Sequence, residues 1–589
     1  MPRANDEVAG LLHELAVMTE IEEGSRQSFR ARAYHNAVRA VKATNRDVTT
    51  MSFEELTSIK GIGKAIANKI LEFAETGTMK KLEELRATYP RGQQELMQVP
   101  GLGPKTISLL YDVLGVSDVA SLQEAIEAGK LRELPGLGEK TEENLKEALD
   151  RLELTSGERR TPIAQVLPLA REVVADLSEV DGVERVAYAG SLRRFRDTIR
   201  DIDVLVASAS PSAVMEAFVG LPLVRDVQGR GDTKASVLTF DGMQIDLRVV
   251  PPERFGAALL YFTGSKEHNI RLRERALQRG WTLNEYALAE LVEDDEGTAS
   301  AGEEVAAETE EGIYAALDLA WIPPEMREDD GEIELAEGRD LPEFAEVADL
   351  RGDLHDHSNW SGDGKASMEA MIAGSRERGL DYLAFTDHAE NLTINGLSRP
   401  AMLDQRRRLR ELQEQTPDLH LLHGAELNIG IDGSLDYDAE FLAGFDWLVA
   451  SVHSHFRRPA DEQTARVIAA IRHPSVTAIG HLTGRRVGKR PGIELDVGAV
   501  LDAAAETGVA IEINCNLDRL DAPAEIVREG ARRGVTFVIS TDAHSVRELD
   551  YAVNGIRQAR RGWLPKDQIA NTRDIESFLQ WVDDVRAAK

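Results

Sequence analysis

A chain of 589 residues is too long for one core, and its length points to three or four domains. With 102 Asp and Glu against 69 Lys and Arg it carries a formal charge of −33, which excludes a uniformly basic, nucleic-acid-coating protein and confines any DNA contact to local surfaces. Its single cysteine, Cys515, excludes a disulfide framework.

The opening MPRANDEVAG has no signal-peptide apolar core, and no run is apolar for long enough to span a bilayer. A cytoplasmic protein with no membrane partner is therefore expected. Residues 1–154 read as helical. Leu11, Leu12, Leu15 and Met18 recur at helical spacing, and FRARAYHNAVRAVK, Phe29 to Lys42, forms a basic amphipathic helix. Three related segments follow at roughly 37-residue spacing: SIKGIGKAIANKI, QVPGLGPKTISLL and ELPGLGEKTEENL. Each sets two glycines around one apolar residue ahead of a helix whose free N–H groups can meet a phosphate. They resemble helix-hairpin-helix elements, which grip the DNA backbone; ordinary helical hairpins are the alternative. The candidate DNA contacts are Gly61, Gly63 and Lys64 in the first copy, and Gly101, Gly103 and Lys105 in the second. The third copy is crowded by Glu133, Glu139, Glu142 and Glu143 and reads as a packing element.

Residues 155–250 switch to mixed helix and strand. Val183 to Ala189 is expected to be a strand entering Gly190-Ser191, with Ile202 to Ala207 as its neighbour, and Ala235 to Phe240 pairs with Met243 to Val250 through an Asp-Gly turn. Asp201 and Asp203 flank Ile202, so on a strand both carboxylates share a face, roughly 6–7 Å apart. Oxygen donors so placed suit Mg²⁺, and the preceding Gly190-Ser191 with Arg194 suits phosphate. Asp246, in QIDLRVV, is a third carboxylate among apolar neighbours. Residues 251–322 continue in helix and short mixed segments. Within them, Glu290 to Glu311 is expected to be a solvated acidic insertion, and 323–348 an acidic, proline-containing linker.

From 349 to 589 apolar runs alternate with helices, and the runs end in polar residues: DLHDH, YLAFTDH, LHLLHGAEL, WLVASVHSH, VTAIGH, VAIEIN and FVISTDAH. Continuously apolar strands with helical crossovers imply a parallel barrel of seven strands whose active face lies at the strand ends. That face collects His355, His357, Asp363, His388, Glu426, His453, His481, Asp542 and His544. Imidazoles and carboxylates without thiolate suit two or three Mn²⁺, Zn²⁺ or Fe²⁺ ions, a grouping fit for phosphoester hydrolysis. Arg485, in HLTGRR, is the candidate substrate-phosphate ligand.

The pieces DLHDHS, FTDH, GAELN, SVHSH, GHLTGRR, EINCNLDRLD and STDAH resemble the PHP (polymerase and histidinol phosphatase) phosphoesterase domain. The resemblance implies a distorted (βα)7 barrel with a metal centre ligated by those nine residues. One departure is a glycine inserted in Trp360-Ser361-Gly362-Asp363-Gly364, where the family has WSDG. Upstream, GSLRR, DxD, IDLR and YFTGS occur in the order and near the spacing of the family X DNA polymerases. That resemblance implies an α+β nucleotidyltransferase palm and thumb in which Asp201, Asp203 and Asp246 hold Mg²⁺ or Mn²⁺. It places Gly190, Ser191 and Arg194 at the triphosphate of a dNTP, Tyr261, Phe262 and Gly264 near the sugar, and Asn269 at the base edge. It also matches Lys69 to a lysine that forms a Schiff base with abasic sugars; a plain DNA contact is the alternative there.

The sequence thus reads as a multidomain, monomeric, nucleoid-associated repair polymerase acting on gapped or primer-template DNA. Its barrel would give metal-dependent 3′→5′ exonuclease or related 3′-end processing. Alternatives are a phosphatase of a small phosphate ester tethered to DNA by a non-polymerising half, and a non-catalytic scaffold.

Overall fold

The computed structural model describes residues 29–44, 46–88, 104–116, 128–134 and 160–589 apart from 294–298, with single positions and short runs elsewhere before 160. The chain divides into two compact units, Met1–Arg159 and Arg160–Lys589. Among the described residues no helix is long and apolar enough to cross a membrane.

The first unit is helical where described. Its best-defined hairpin joins Phe53–Ser58 to α1, Lys64–Thr76. Ser52 and Glu55 form a capping box that starts the former, and Ile66, Ala67 and Ile70 bury one face of α1. Gly61 takes the turn at φ 108°, a region that residues with a Cβ rarely enter.

The second unit begins with α2, Ile163–Ser178, packed on a five-stranded sheet. Its strands are β1 (Val183–Tyr188), β2 (Asp201–Ser208), β3 (Val224–Arg230), β4 (Lys234–Thr239) and β5 (Gln244–Val250), in the order β1-β2-β5-β4-β3. The one-turn α3, Gly190–Arg193, links β1 to β2. Along β2 the alternation sends Ile202, Val204 and Val206 into the palm core, while Leu205 and Ala207 on the other face pack under Phe255 and Ala258 of α4, Phe255–Thr263. Only the aspartate end of that second face is left partly open. Helix α5, Lys266–Gln278, follows, with Ser265 accepting from the His268 amide as its N-cap.

Residues 290–311 correct one expectation. Instead of a solvated insertion, β7 (Leu288–Glu293) and β8 (Ala299–Ala306) pair antiparallel beside β6 (Trp281–Leu283). Glu290, Glu303 and Glu304 are exposed, while Leu288 and Ala289 pack inward. Residues 323–348 correct another. Helix α6, Glu332–Gly338, lies there, Met326 and Arg327 are fully buried, and Arg327 pairs with buried Glu310 at 2.6 Å. An acidic stretch whose carboxylates are met by distant arginines packs as core rather than trailing as a linker.

The barrel is a seven-stranded parallel sheet, β9 to β15 in sequence order: Gly352–Asp356, Tyr382–Phe385, His420–Asn428, Trp447–Ser451, Ala478–Ile479, Ala510–Asn514 and Phe537–Ser540. An Asp356–Ala543 bridge brings the first and last strands together, so the ring is nearly closed. Every residue of β9, β10, β12, β14 and β15 is buried, as expected when helices cover the outer face and the barrel's own side chains fill the inner one. The barrel also seals the palm: Leu520 is fully buried within the palm core, beside Phe195 and Leu167.

Candidate active sites

In the palm, β2 and β5 run parallel with Asp203 opposite Asp246 and Asp201 opposite Gln244. The register therefore sets three carboxylates on one face of two adjacent strands. Burial, together with the charges of Asp201 and Asp246, pushes the Asp203 pKa up to about 7. Three acids crowded at a partly open strand end are oxygen donors in need of positive charge, so the set fits divalent metal. Arg200 holds Asp201 at 2.9 Å, and Gln244 Nε2 donates to Asp246 at 2.9 Å.

Gly190 carries φ 60° and sits against this group: a Cβ there would drive into Asp203 Oδ2. The Ala189 amide donates to the Asp203 carbonyl at 2.8 Å, fixing the turn to the strand. A cleft of about 450 Å³ brings Gly190, Ser191, Arg194, Asp201, Asp203, Tyr261, Phe262, Gly264 and Asn269 together. Asp246 instead faces a second cleft of about 610 Å³, shared with Asp203, Arg230, Lys234 and Arg248. Arg194 donates to the Thr263 carbonyl at 2.5 Å, and Asn269 Nδ2 donates to the Tyr261 carbonyl at 2.7 Å, so α3, α4 and α5 form one wall. Arg248 was not singled out from the sequence, although it lies in the quoted IDLR; its guanidinium stacks 4.7 Å from the Phe262 ring.

In the barrel, all nine candidate side chains gather at the carboxyl ends of the strands. Glu426 lies at the centre, 2.8 Å from His388, 3.0 Å from His453 and 2.9 Å from His481. Asp542 stands 3.3 Å from His357, and Asp363, on the loop with the additional glycine, lies 3.1 Å from His388 and 3.5 Å from His544. Three groups have ligand atoms within 4.8 Å of one another: His357, Asp363, His388 and His544; His355, His357 and Asp542; His388, Glu426 and His453. His357 Nδ1, His481 Nδ1 and Asp363 Oδ1 are buried with no hydrogen-bond partner, and His355 Nε2, His357 Nε2, His388 Nδ1 and His453 Nε2 approach Glu426 or Asp542 without forming a directed one. Buried polar atoms normally find one, and this concentration of orphaned nitrogen and oxygen donors fits a cluster of divalent ions. Burial opposes charge on Glu426, yet His453, His355 and His388 outweigh it and hold its carboxyl well below the usual range.

Residues that the sequence reading passed over orient this set. Glu512 accepts from His355 Nδ1 at 2.6 Å and from the His481 amide at 2.6 Å. Asn428 faces His453 Nδ1 at 2.7 Å, and Asn514 donates to Asp542 Oδ2 at 3.0 Å. Outer partners of this kind fix which imidazole nitrogen faces the metal. Their signal was present, since Asn428 and Asn514 end strands and Glu512 lies two residues before such an end, in the pattern that gave the ligands.

Arg485 requires a correction. Its guanidinium is consumed at the palm boundary, donating to Asp197 at 2.7 Å, to the Arg519 carbonyl at 2.9 Å and to the Leu520 carbonyl. The arginine at the metal pocket is Arg519, 3.4 Å from Asp542. In the first unit, Lys64 is exposed at the start of α1 and Lys69 half-buried on the same helix, where the Gly63 end has no side-chain cap. Gly101 and Gly103 lie outside the described residues, as does the side chain of Lys105, whose backbone belongs to the helix Pro104–Leu114.

Comparison with known proteins agrees with this geometry. Family models match as DNA polymerase beta thumb over residues 258–328, helix-hairpin-helix domain over 3–79, SAM-like helix-hairpin-helix tandem over 94–151 and PHP domain over 353–516. A DNA polymerase/3′-5′ exonuclease PolX of Bacillus subtilis is 37% identical over 580 residues, 98% of this chain and 99% of that protein. DNA polymerase lambda of Rattus norvegicus is 28% identical over 54% of this chain and 56% of its own length. A probable phosphatase of Vibrio campbellii is 30% identical over 34% of this chain and 80% of its own. The chain belongs to the family X DNA polymerases that carry a carboxyl-terminal PHP domain.

Proposed function

We propose that this chain fills short gaps in DNA at the palm and resects 3′ ends at the barrel, as two separate sites within one compact unit. The observation that carries the reading is the pair of intact donor sets: Asp201, Asp203 and Asp246 on adjacent strands, and Glu426 with the eight imidazole and carboxylate side chains gathered around it. Divalent ions held there, Mg²⁺ or Mn²⁺ in the palm and two or three of Mn²⁺, Zn²⁺ or Fe²⁺ in the barrel, supply charge that activates an oxygen nucleophile and neutralises the leaving oxygens.

The chain's own residues position the substrates. Ser191 and Arg194 are assigned to the triphosphate of the incoming dNTP, Tyr261, Phe262 and Gly264 to its sugar, and Asn269 to its base edge, because all six share the cleft that contains Asp201 and Asp203. Arg230, Lys234 and Arg248 line the adjoining cleft, where cations suit the primer backbone. In the first unit, Gly61, Gly63 and Lys64 are assigned to the DNA backbone, and Lys69 to DNA contact or Schiff-base chemistry at an abasic sugar. A cytoplasmic, nucleoid-associated monomer completes the reading.

A gapped template-primer with dNTPs, in Mg²⁺ or Mn²⁺, tests it. Extension into the gap, together with stepwise loss of 3′ nucleotides when dNTPs are omitted, is the expected result. Hydrolysis of small phosphate esters with neither DNA reaction would favour a phosphatase tethered to DNA.

A further inference from the structure

A cleft of about 670 Å³ opens between palm and barrel, and its charge runs against that of the chain. Arg196, Arg485, Arg486, Lys489, Arg490 and Arg561 line it, against the carboxylates of Asp197 and Glu525. Glu328 and Asp518 pair with rim cations, and the cations still outnumber the acids. In a protein of 102 acidic and 69 basic residues this is a local inversion of sign.

The cations fall into two sets. Arg485, Arg490 and Arg561 are spent on structure: Arg485 donates to Asp197 at 2.7 Å, Arg490 to the Gly484 carbonyl at 3.1 Å, and Arg561 to the Arg194 carbonyl at 3.0 Å. Gly488, at φ 70°, seats the barrel loop so closely on the palm that a Cβ would come 2.5 Å from Pro162. The rim set is different. The side chains of Arg196, Arg486 and Lys489 are 43%, 43% and 52% exposed, in ion pairs of 3.4, 4.0 and 2.8 Å. Such solvated pairs are weak and readily exchanged for phosphate.

Both walls are continuous with the active sites. Arg196 shares the Glu328 carboxylate with Arg194 of the nucleotide cleft, at 3.4 and 3.2 Å. The opposite wall begins just after the metal-site His481, and its Arg485 is bonded to Arg519, which touches Asp542.

We propose that this cleft binds the phosphodiester backbone of the DNA strand whose 3′ end is edited, holding it between palm and barrel. The inference rests on the two-site reading above. Phosphate neutralisation by mobile basic side chains needs no base readout, as editing of any sequence requires.

The test uses the full-length protein without divalent metal and measures fluorescence anisotropy of labelled primer-templates over a KCl series. The primers carry either a paired terminus or a short unpaired 3′ tail. Wild type should bind the tailed primer more tightly and with a steeper salt slope. R196E/R486E/K489E should lose that difference, its slope falling by about 2, since each single-strand phosphate contact contributes roughly 0.7. R486E alone, on the exposed rim, should lose about a third of it. Extension of a paired primer by R486E, assayed with metal, should stay near the wild-type rate. A wild type with no tail effect, or variants that keep it unchanged, would overturn the proposal. So would a raised KM for dNTP with tail binding intact, which would give the cleft to the nucleotide. Failure of wild type to extend any primer is a different readout and would sink the two-site reading instead.

Discussion

Gly190 and Asp203 are in direct contact: the absence of a side chain at Gly190 is what lets the Asp203 carboxylate occupy its place between Asp201 and Asp246. The turn that carries Ser191 and Arg194 is thus fitted to the middle acid of the set, and its position and that of the carboxylates are one geometric fact. Gly190→Ala should lower kcat/KM for gap filling by at least about 10²-fold, the scale of a one-ångström misplacement. Excision at the barrel should be untouched. Steady-state extension beside exonuclease assays decides this, and wild-type extension by the variant would contradict it.

Glu512 is expected to matter to the barrel without ligating metal. It holds His355 Nδ1 and the His481 amide, so Glu512→Gln should weaken metal binding about 10- to 100-fold while leaving the fold intact. Titration of Mn²⁺ into chelator-treated protein, read by excision and by calorimetry, gives the shift. Primer extension in Mg²⁺ should not change. Equal losses at both sites would mean a structural role.

Arg557, on the helix α7 (Ala552–Arg561), is predicted to position the palm. It donates to the Arg193 carbonyl at 2.6 Å and to Glu325 at 2.7 Å, with its guanidinium 4.4 Å from the Phe195 ring. Arg557→Lys keeps a charge for Glu325 but removes the fork that also reaches α3. Losing one such bond, about 1 kcal/mol, should raise the dNTP KM roughly fivefold with less effect on kcat. A fall in excision instead would place Arg557 with the barrel site.

Glu310 gives a stability prediction. Burial works against its charge, but Arg327 and Arg193 outweigh that and hold its carboxyl far below the ordinary value of 4.5. A depressed folded pKa means that the stabilisation is complete above the unfolded value and is lost as pH falls below it. Glu310→Gln should therefore cost about 3–5 kcal/mol near neutrality by leaving Arg327 buried without its counter-charge. That gap should narrow below pH 4.5, where the Glu310 carboxyl of the unfolded wild type takes up a proton while the folded one stays charged. Thermal melts of both proteins across this range measure it, and a gap that widened in acid would contradict the assignment.

Local pattern carried most of the site. Asp201, Asp203 and Asp246 were legible because apolar alternation fixes which face a strand residue takes, and the barrel ligands other than the loop residue Asp363 because they close apolar runs. What failed depended on partners far along the chain. Arg485 meets Asp197 across 288 residues, and Glu325 meets Arg557 across 232, so composition alone misread one as a free phosphate ligand and the other as part of an acidic linker. The strand at Ala299–Ala306 was hidden because an edge strand rich in Ala, Gly and Glu resembles a loop.

The separation of synthesis from resection is tested most directly on one gapped substrate with a mispaired 3′ terminus. Wild type, Asp201→Ala/Asp203→Ala and His355→Ala/His357→Ala are compared in Mn²⁺ with dNTPs. The palm variant should remove the mispair and stop, and the barrel variant should leave it in place while still extending a matched primer. Resection that survived the barrel change, or extension that survived the palm change, would contradict the account.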